Sequence, residues 1–290
     1  MNSSLRRLVD ELVDLVLPRR CVVCGRAGSW LCGRCAGGLV PQDEPLCRRC
    51  GAAARRPVVS CPECVGRDLA FLSARAAYRY DGPARCLVTA CKFRSLRSLG
   101  AEMARLAQDR FDELVASLGG PAAVAFVTAV PVHRERRLER GFDQGELLAR
   151  ELAAAAGLPF AGVLARTRQG SRQSGLAAAA RAANVAEAYC LDRRRAERAA
   201  AAPASALQPG GHESRDGAAQ RGGKDRREGG KLETVVIVDD VYTTGETLNQ
   251  CSLELRSAGW SPHAFTFARA ARSLRSQGRA SERLSKERSR

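Results

Sequence analysis

Adjacent carboxylates at Asp239 and Asp240, followed by Thr243, Thr244, Gly245, Glu246 and Thr247, have the types and spacing to do chemistry. Carboxylates accept hydrogen bonds from vicinal hydroxyls and are hard oxygen ligands for Mg²⁺. Threonine hydroxyls beside the free N–H groups of a helix start make a socket for a phosphate dianion. A sugar phosphate meets all three demands. The elements that must position these residues lie on either side. Val235-Val236-Ile237-Val238 is apolar and β-branched, as in a strand buried on both faces of a parallel sheet flanked by helices. Leu248, Cys251, Leu255 and Ala258 recur at helical spacing, so a helix should begin near Thr247 and stop at Gly259. Open α/β sheets bind ligands at the carboxyl ends of their strands, which is where the acids fall. The simpler reading is a buried strand running into a capped helix with solvated acids. It leaves the order acid-acid-x-x-Thr-Thr-Gly-Glu-Thr without a reason.

This stretch resembles the phosphoribosyl-pyrophosphate (PRPP) signature of type I phosphoribosyltransferases. The resemblance implies that Asp239 and Asp240 hold the ribose 2′- and 3′-hydroxyls. It implies that Thr243, Thr244, Gly245, Glu246 and Thr247 wrap the 5′-phosphate, and that Mg²⁺ arrives with PRPP. No Gly-x-x-x-x-Gly-Lys-Ser/Thr occurs, so this is not a Walker loop.

Residues 18–68 carry Cys21-x-x-Cys24, Cys32-x-x-Cys35, Cys47-x-x-Cys50 and Cys61-x-x-Cys64. Each pair can form a knuckle whose two sulfurs converge on one metal, and four thiolates close a tetrahedral structural Zn²⁺ site. The gaps favour Cys21, Cys24, Cys32 and Cys35 on one zinc and Cys47, Cys50, Cys61 and Cys64 on another, with a crossed pairing open. Disulfides are the alternative, disfavoured without an export signal.

The rest of the chain fits around these two features. An amphipathic stretch over 1–17 predicts a short helix packed on the protein, or one lying on a membrane surface. Alternation from Leu72 to Tyr80 predicts a strand opening a second domain, and Ala84–Phe111 is helical in pattern. Lys92 within it reads as a solvated lysine, and Cys86 and Cys91 as small core residues. Val124–Val130 is a second buried strand. After it come Arg134, Arg136, Arg137 and Arg140, expected in a loop before a helix over Gly145–Ala156. Guanidinium forks there suit a pyrophosphate, with Arg137 and Arg140 as the candidate contacts and His133 a bystander. The Gly/Ser-rich run around Gln173 reads as a lid that would exclude water from a reacting ribose. Residues 193–231 lack large apolar side chains and read as a disordered insertion, and 272–290 as a polar basic tail.

The cysteine ribbons, Val130-Pro131-Val132, Arg137-x-x-Arg140-Gly141-Phe142-x-Gln144, Arg166-x-Arg168, Gln173, Arg181-x-x-Asn184 and the acid-threonine loop together resemble the ComF family. The resemblance implies a double zinc ribbon (18–68) before a type I phosphoribosyltransferase fold (69–271), a mostly parallel α/β sheet flanked by helices. It also implies an association with competence for DNA uptake, with single-stranded DNA or competence and recombination proteins as partners. One departure stands out: the family has Asn where this chain has Asp143. A negative charge there would weaken anion binding if it pointed into a pyrophosphate pocket.

The formal charge of +16 over 290 residues raises the question of nucleic acid. Residues 193–231 hold ten Lys/Arg against five Asp/Glu, 272–290 seven against two, and 18–68 nine against four. Two tetrathiolate zinc sites would bring the ribbon region close to neutral. Trp30 is the sole aromatic residue in 18–68, so stacking platforms for bases are scarce. No apolar run is long enough to span a bilayer, and the cytoplasm is the expected location. Three functions follow: phosphoribosyl transfer from PRPP, a non-catalytic PRPP or nucleotide sensor that binds single-stranded DNA, and an adaptor that docks a partner through its ribbon.

Overall fold

The computed structural model describes residues 19–93, 98–166, 189–201 and 232–271. The expected helix over 1–17, the lid around Gln173, the tail 272–290 and all of the insertion beyond Ala201 lie outside the described residues.

Four parallel strands form the central sheet, in the order β1 (Ala74–Arg79), β6 (Trp260–Arg269), β5 (Glu233–Tyr242), β2 (Val124–Ala129). A parallel sheet must be covered on both faces, and alternate residues of β5 supply both cores. Val236 and Val238 face α1 (Gly82–Phe93), α2 (Ser98–Ser117) and α4 (Gln144–Ala155), joining Leu99, Phe111, Leu148 and Leu152. Val235 and Ile237 face the other way, onto Leu248 and Leu255 of α6 (Glu246–Ser257), Phe71 and the cysteines of the second ribbon. Edge-to-face rings lock each layer: Phe111 on Phe265 at 5.1 Å, and Phe126 on Trp260 at 5.0 Å.

A short antiparallel pair, β3 (Leu164–Arg166) and β4 (Tyr189–Leu191), sits outside the main sheet and packs its Leu164 and Tyr189 on the second core. The β3–β4 pair is followed by α5 (Arg193–Ala201). That helix corrects the expectation of disorder from residue 193. Asp192 Oδ1 caps its start by accepting from the Arg195 N–H, and Ala196 is buried. Alanine, arginine and glutamate are strong helix formers, so low hydrophobicity did not mean lack of structure here. A second correction concerns the arginine run. It is not a loop but a two-turn helix, α3 (Arg134–Arg140), capped by the His133 ring accepting from the Glu135 N–H and stopped by Gly141 at φ 75°. The helical stretch 84–111 is likewise two helices, α1 and α2.

The ribbons grip the open edge of the sheet. The link between them runs antiparallel to β1, with the Gln42 N–H donating to the Ala77 carbonyl and the Arg79 N–H to the Val40 carbonyl. This pairing covers groups that an edge strand would otherwise leave exposed. The first ribbon packs Cys21, Leu31 and Cys32 on one face of the sheet, and the second packs its four cysteines on the other. Gly51 has φ 68°, and a Cβ there would lie 2.5 Å from the Ala74 carbonyl oxygen. Gly51→Ala should therefore cost about 2–3 kcal/mol from strain and lost seating. Chemical denaturation checks this, and an unchanged midpoint would mean that the ribbon is not held against β1.

Candidate functional site

Each cysteine quartet forms a cage whose four sulfurs lie within 4.8 Å of one another, in the pairing read from the sequence gaps. Sulfur separations of 3.6 Å (Cys24–Cys32), 3.5 Å (Cys50–Cys61) and 3.9 Å (Cys47–Cys64) are on the scale of a tetrahedral Zn²⁺, whose 2.3 Å bonds put sulfurs about 3.8 Å apart. Burial works to raise the Cys21 thiol, but N–H groups of Cys32, Cys24 and Val23 outweigh it and bring it down to about 6. Burial and its neighbouring thiols push Cys35 up to about 12. The backbone N–H of Cys35 likewise lowers the Cys32 thiol, so the cage favours thiolate at some positions and opposes it at others, and four thiolates together need a cation. Zn²⁺ fits both donor sets, and its part there is structural.

The acid pair ends the buried run of β5. Asp239 Oδ1 accepts from the Asp240 N–H at 2.8 Å, and Asp240 is 7% exposed. Asp239 is packed closely by protein although part of the residue stays open to solvent. Burial, then the Asp240 charge, pushes its carboxyl up to about 8, against the pull of the Asp240 N–H and the Lys92 charge. Lys92 corrects the reading of a solvated lysine. From the last turn of α1 its Nζ reaches Asp240 Oδ1 at 3.0 Å. The signal was present in Leu87-Val88-Thr89-Ala90-Cys91-Lys92: a lysine closing an apolar helical run must find an anion or water, and the fold offers the anion.

The loop after the acids turns into α6. Thr243 and Thr244 are exposed, and the Thr244 Oγ1 accepts from the Glu246 N–H at 3.3 Å. Gly245, at φ 76°, is the N-cap of α6. The Tyr242 ring fills the space where its Cβ would be, so both conformation and packing demand glycine. Glu246 is turned away from the socket, toward Gln250 at 2.9 Å and Arg67 at 3.8 Å. Tyr189, which the sequence reading did not single out, lies beside this loop. Burial pushes its hydroxyl up to about 12, the nearby Asp239 and Cys251 adding to the rise while Arg166 and a hydrogen bond with Thr247 oppose it.

The arginines stand on the neighbouring strand's side. A cleft of about 240 Å³ beyond the end of β2 is lined by Pro131, Arg134, Arg137, Asp143, Phe160 and Arg166, among others. Arg137 pairs loosely with Glu146 at 3.4 Å. The acid pair and the threonine loop are not part of this lining. Arg140 closes α3, and its side chain is outside the described residues, as is Gln173. Asp143 lines the cleft, yet its oxygens are engaged with backbone: Oδ2 accepts from the Val132 N–H and Oδ1 from the Glu146 N–H, capping α4. An asparagine has one acceptor oxygen and would leave one of these N–H groups unpaired. Burial raises the Asp143 carboxyl and the two N–H bonds oppose that rise.

Residues 12–65 match the sequence profile of the double zinc ribbon domain. The chain is 27% identical over 239 residues to the DNA utilization protein YhgH of Salmonella typhi, covering 81% of this chain and 89% of that protein. The YhgH protein of Salmonella typhimurium aligns to the same extent. Competence protein F of Haemophilus influenzae is 24% identical over 247 residues, covering 83% and 92%. Among the described residues no helix is long and apolar enough to cross a membrane.

Two outcomes follow. Metal analysis should find two zincs per chain, and the double variant Cys47→Ser/Cys61→Ser should lose one and keep the other, whereas a crossed pairing would put these two cysteines on different metals and lose both. Asp239 has a native value of about 8 against an ordinary 3.8, so between those values the folded state holds the extra proton. Its contribution to stability therefore falls as pH rises from about 4 to about 8. A ligand that needs the carboxylate must release this proton at pH 7, and its affinity must rise toward pH 8. Calorimetry in buffers of different ionisation enthalpy reads the release, and Lys92→Met should shift the profile to higher pH.

Proposed function

We propose that this chain, a double-zinc-ribbon protein of the ComF family, binds PRPP or a related phosphoribosyl ligand with Mg²⁺ at the carboxyl end of β5. The observation that carries the reading is the junction itself: two carboxylates on a central parallel strand, next to a glycine-capped helix start flanked by threonines. Asp239 and Asp240 accept from the ribose hydroxyls, and Mg²⁺, when it arrives with the ligand, supplies charge neutralisation for the pyrophosphate. Thr243, Thr244, Thr247 and the first N–H groups of α6 hold the 5′-phosphate. Arg137 meets the pyrophosphate from the β2 side, where negative charge grows as it leaves C1′. The reaction served is displacement of that pyrophosphate by an acceptor, with Gln173 and Arg140 as further candidate contacts.

A second reading has a specific observation behind it. Arg48, Arg55 and Arg56 are exposed on the second ribbon, and Val59 and Val65 of the same ribbon are 73% and 72% exposed. Arg49 is not available to the same surface, because its guanidinium is committed to the Leu69 and Leu72 carbonyls. That surface suits single-stranded nucleic acid, in keeping with relatives named for DNA utilization and competence.

Calorimetric titration of the zinc-loaded protein with PRPP and Mg²⁺ tests the first reading. Asp239→Asn/Asp240→Asn should weaken binding by about 100-fold or more, since each charge-assisted hydrogen bond contributes roughly 1.5–3 kcal/mol. Gly245→Ala should abolish it by forcing Tyr242 and the loop apart. Equal binding by the intact protein and both variants would remove the site from consideration. Pyrophosphate release over a panel of acceptors would then separate transfer from sensing.

A further inference from the structure

Arg269, the last residue of β6, has a side chain only 3% exposed, and its partners are Cys50, Glu63 and the Tyr242 ring. Its guanidinium is spread over two structures that the chain brings together from far apart in sequence. On one side Nη1 donates to the Cys50 carbonyl at 2.8 Å. Nη2 lies 3.5 Å from the Cys50 sulfur and 2.8 Å from Glu63 Oε2. On the other side its Cζ stands 3.9 Å from the centre of the Tyr242 ring. Tyr242 is 2% exposed and is braced at its far edge by Phe71 at 6.3 Å. The Tyr242 hydroxyl occupies the space directly beneath Gly245, with no hydrogen-bond partner of good geometry among the described residues.

We infer that Arg269 is a positioning residue that ties the second zinc cage to the phosphate loop, so that metal in one and ligand in the other stabilise each other. The physical argument has three steps. A buried guanidinium needs negative charge, and a zinc tetrathiolate carries an excess of it at Cys50. N–H groups directed at a ligating sulfur hold that ligand in place, and the ligand in turn orients the donor. Stacking on the Tyr242 face then fixes the ring height, and the ring is the floor on which Gly245 rests. If Cys50 is released from metal, Glu63 is the one charged partner Arg269 keeps, the Cys50 carbonyl it binds is no longer anchored, and the ring loses its fixed counterpart. Chain continuity reinforces the link. Asn249 of α6 accepts from the Ala70 N–H at 2.6 Å and donates to the Asp68 carbonyl at 3.2 Å, holding the segment that leaves the second ribbon.

The inference rests on the reading of 243–247 as a phosphate loop, and the experiment separates the two. Zinc-loaded wild type, Arg269→Lys and Tyr242→Phe are titrated with PRPP and Mg²⁺, and zinc release to a chromogenic chelator is followed with and without saturating PRPP. Coupling between sites is reciprocal, so PRPP should make the second zinc harder to withdraw at equilibrium by about 10-fold, and removal of that zinc should weaken PRPP by the same factor. Arg269→Lys keeps a charge but not the fork, and should reduce that coupling to near unity. Tyr242→Phe keeps the stacked ring, folds with little change, and should weaken PRPP while leaving zinc release in its absence unaltered. PRPP binding by wild type with no effect on zinc release overturns the inference alone. Absence of PRPP binding in the wild type overturns the phosphate reading and the inference with it.

Discussion

Everything in this molecule hangs on a strand that has no solvent face. The apolar run of β5 lies between two strands and two layers of side chains, and every backbone group within it must be paired by its neighbours. Polar chemistry is excluded along Val235–Val238 and becomes affordable only at the strand's carboxyl end. There the acid pair emerges with a lysine beside it. Desolvation leaves Asp239 reluctant to ionise, so the unliganded site is held short of its full negative charge. A cation or a ring of hydroxyl donors would complete it. The burial that stabilises the sheet is thus the same burial that tunes the site.

The ribbons extend this logic to the sheet's edge. A four-stranded parallel sheet ending in β1 would offer an unpaired edge, and the link through Val40, Pro41 and Gln42 closes it while the two cysteine cages take opposite faces. Neither ribbon has the apolar content to hold itself together without metal, a regime in which small modules depend on zinc. In this chain the second cage is also part of a core shared with Phe71, Tyr242 and α6. Metal binding, edge closure and the seating of the 243–247 loop are therefore one packing problem.

The arginines show why net charge is a poor guide to what a surface binds. Arg49 and Arg75 donate to carbonyls at the seam between ribbon and sheet, Arg150 lies over the Phe160 ring at 4.2 Å, and Arg269 is buried. Arg49, Arg75 and Arg269 thus serve the packing of ribbon on sheet, while Arg150 stays on the surface. Arg48, Arg55 and Arg56 remain exposed on the second ribbon, as do Arg19, Arg20, Arg26 and Arg34 on the first, so the charge open to a polyanion depends on where each guanidinium lies and not on the total.

Much was legible in the sequence because it depends on local pattern. Cys-x-x-Cys knuckles, the β-branched run and the glycine before α6 are each set by neighbours within a few residues, and spacing within the quartets carried the ligand pairing. The Asp239–Asp240 position at a strand end followed from the same run. Where local pattern misled, a long-range partner or a cap decided the outcome. The arginine run became a helix because His133 and Gly141 cap it, and residues after Asp192 became helical because alanine and arginine need little burial to do so. Lys92 and Asp240 are 148 residues apart, and Arg269 and Cys50 are 219 apart. No periodicity records such distances. Asp143, a departure that read as a threat to anion binding, puts one oxygen on a local helix cap at the Glu146 N–H and the other on the Val132 N–H, eleven residues away, which the folded chain brings to it. The sequence by itself determined the element types and the donor sets. Tertiary structure alone decided which charges meet, because a pairing between distant residues exists only when the sheet has placed them side by side.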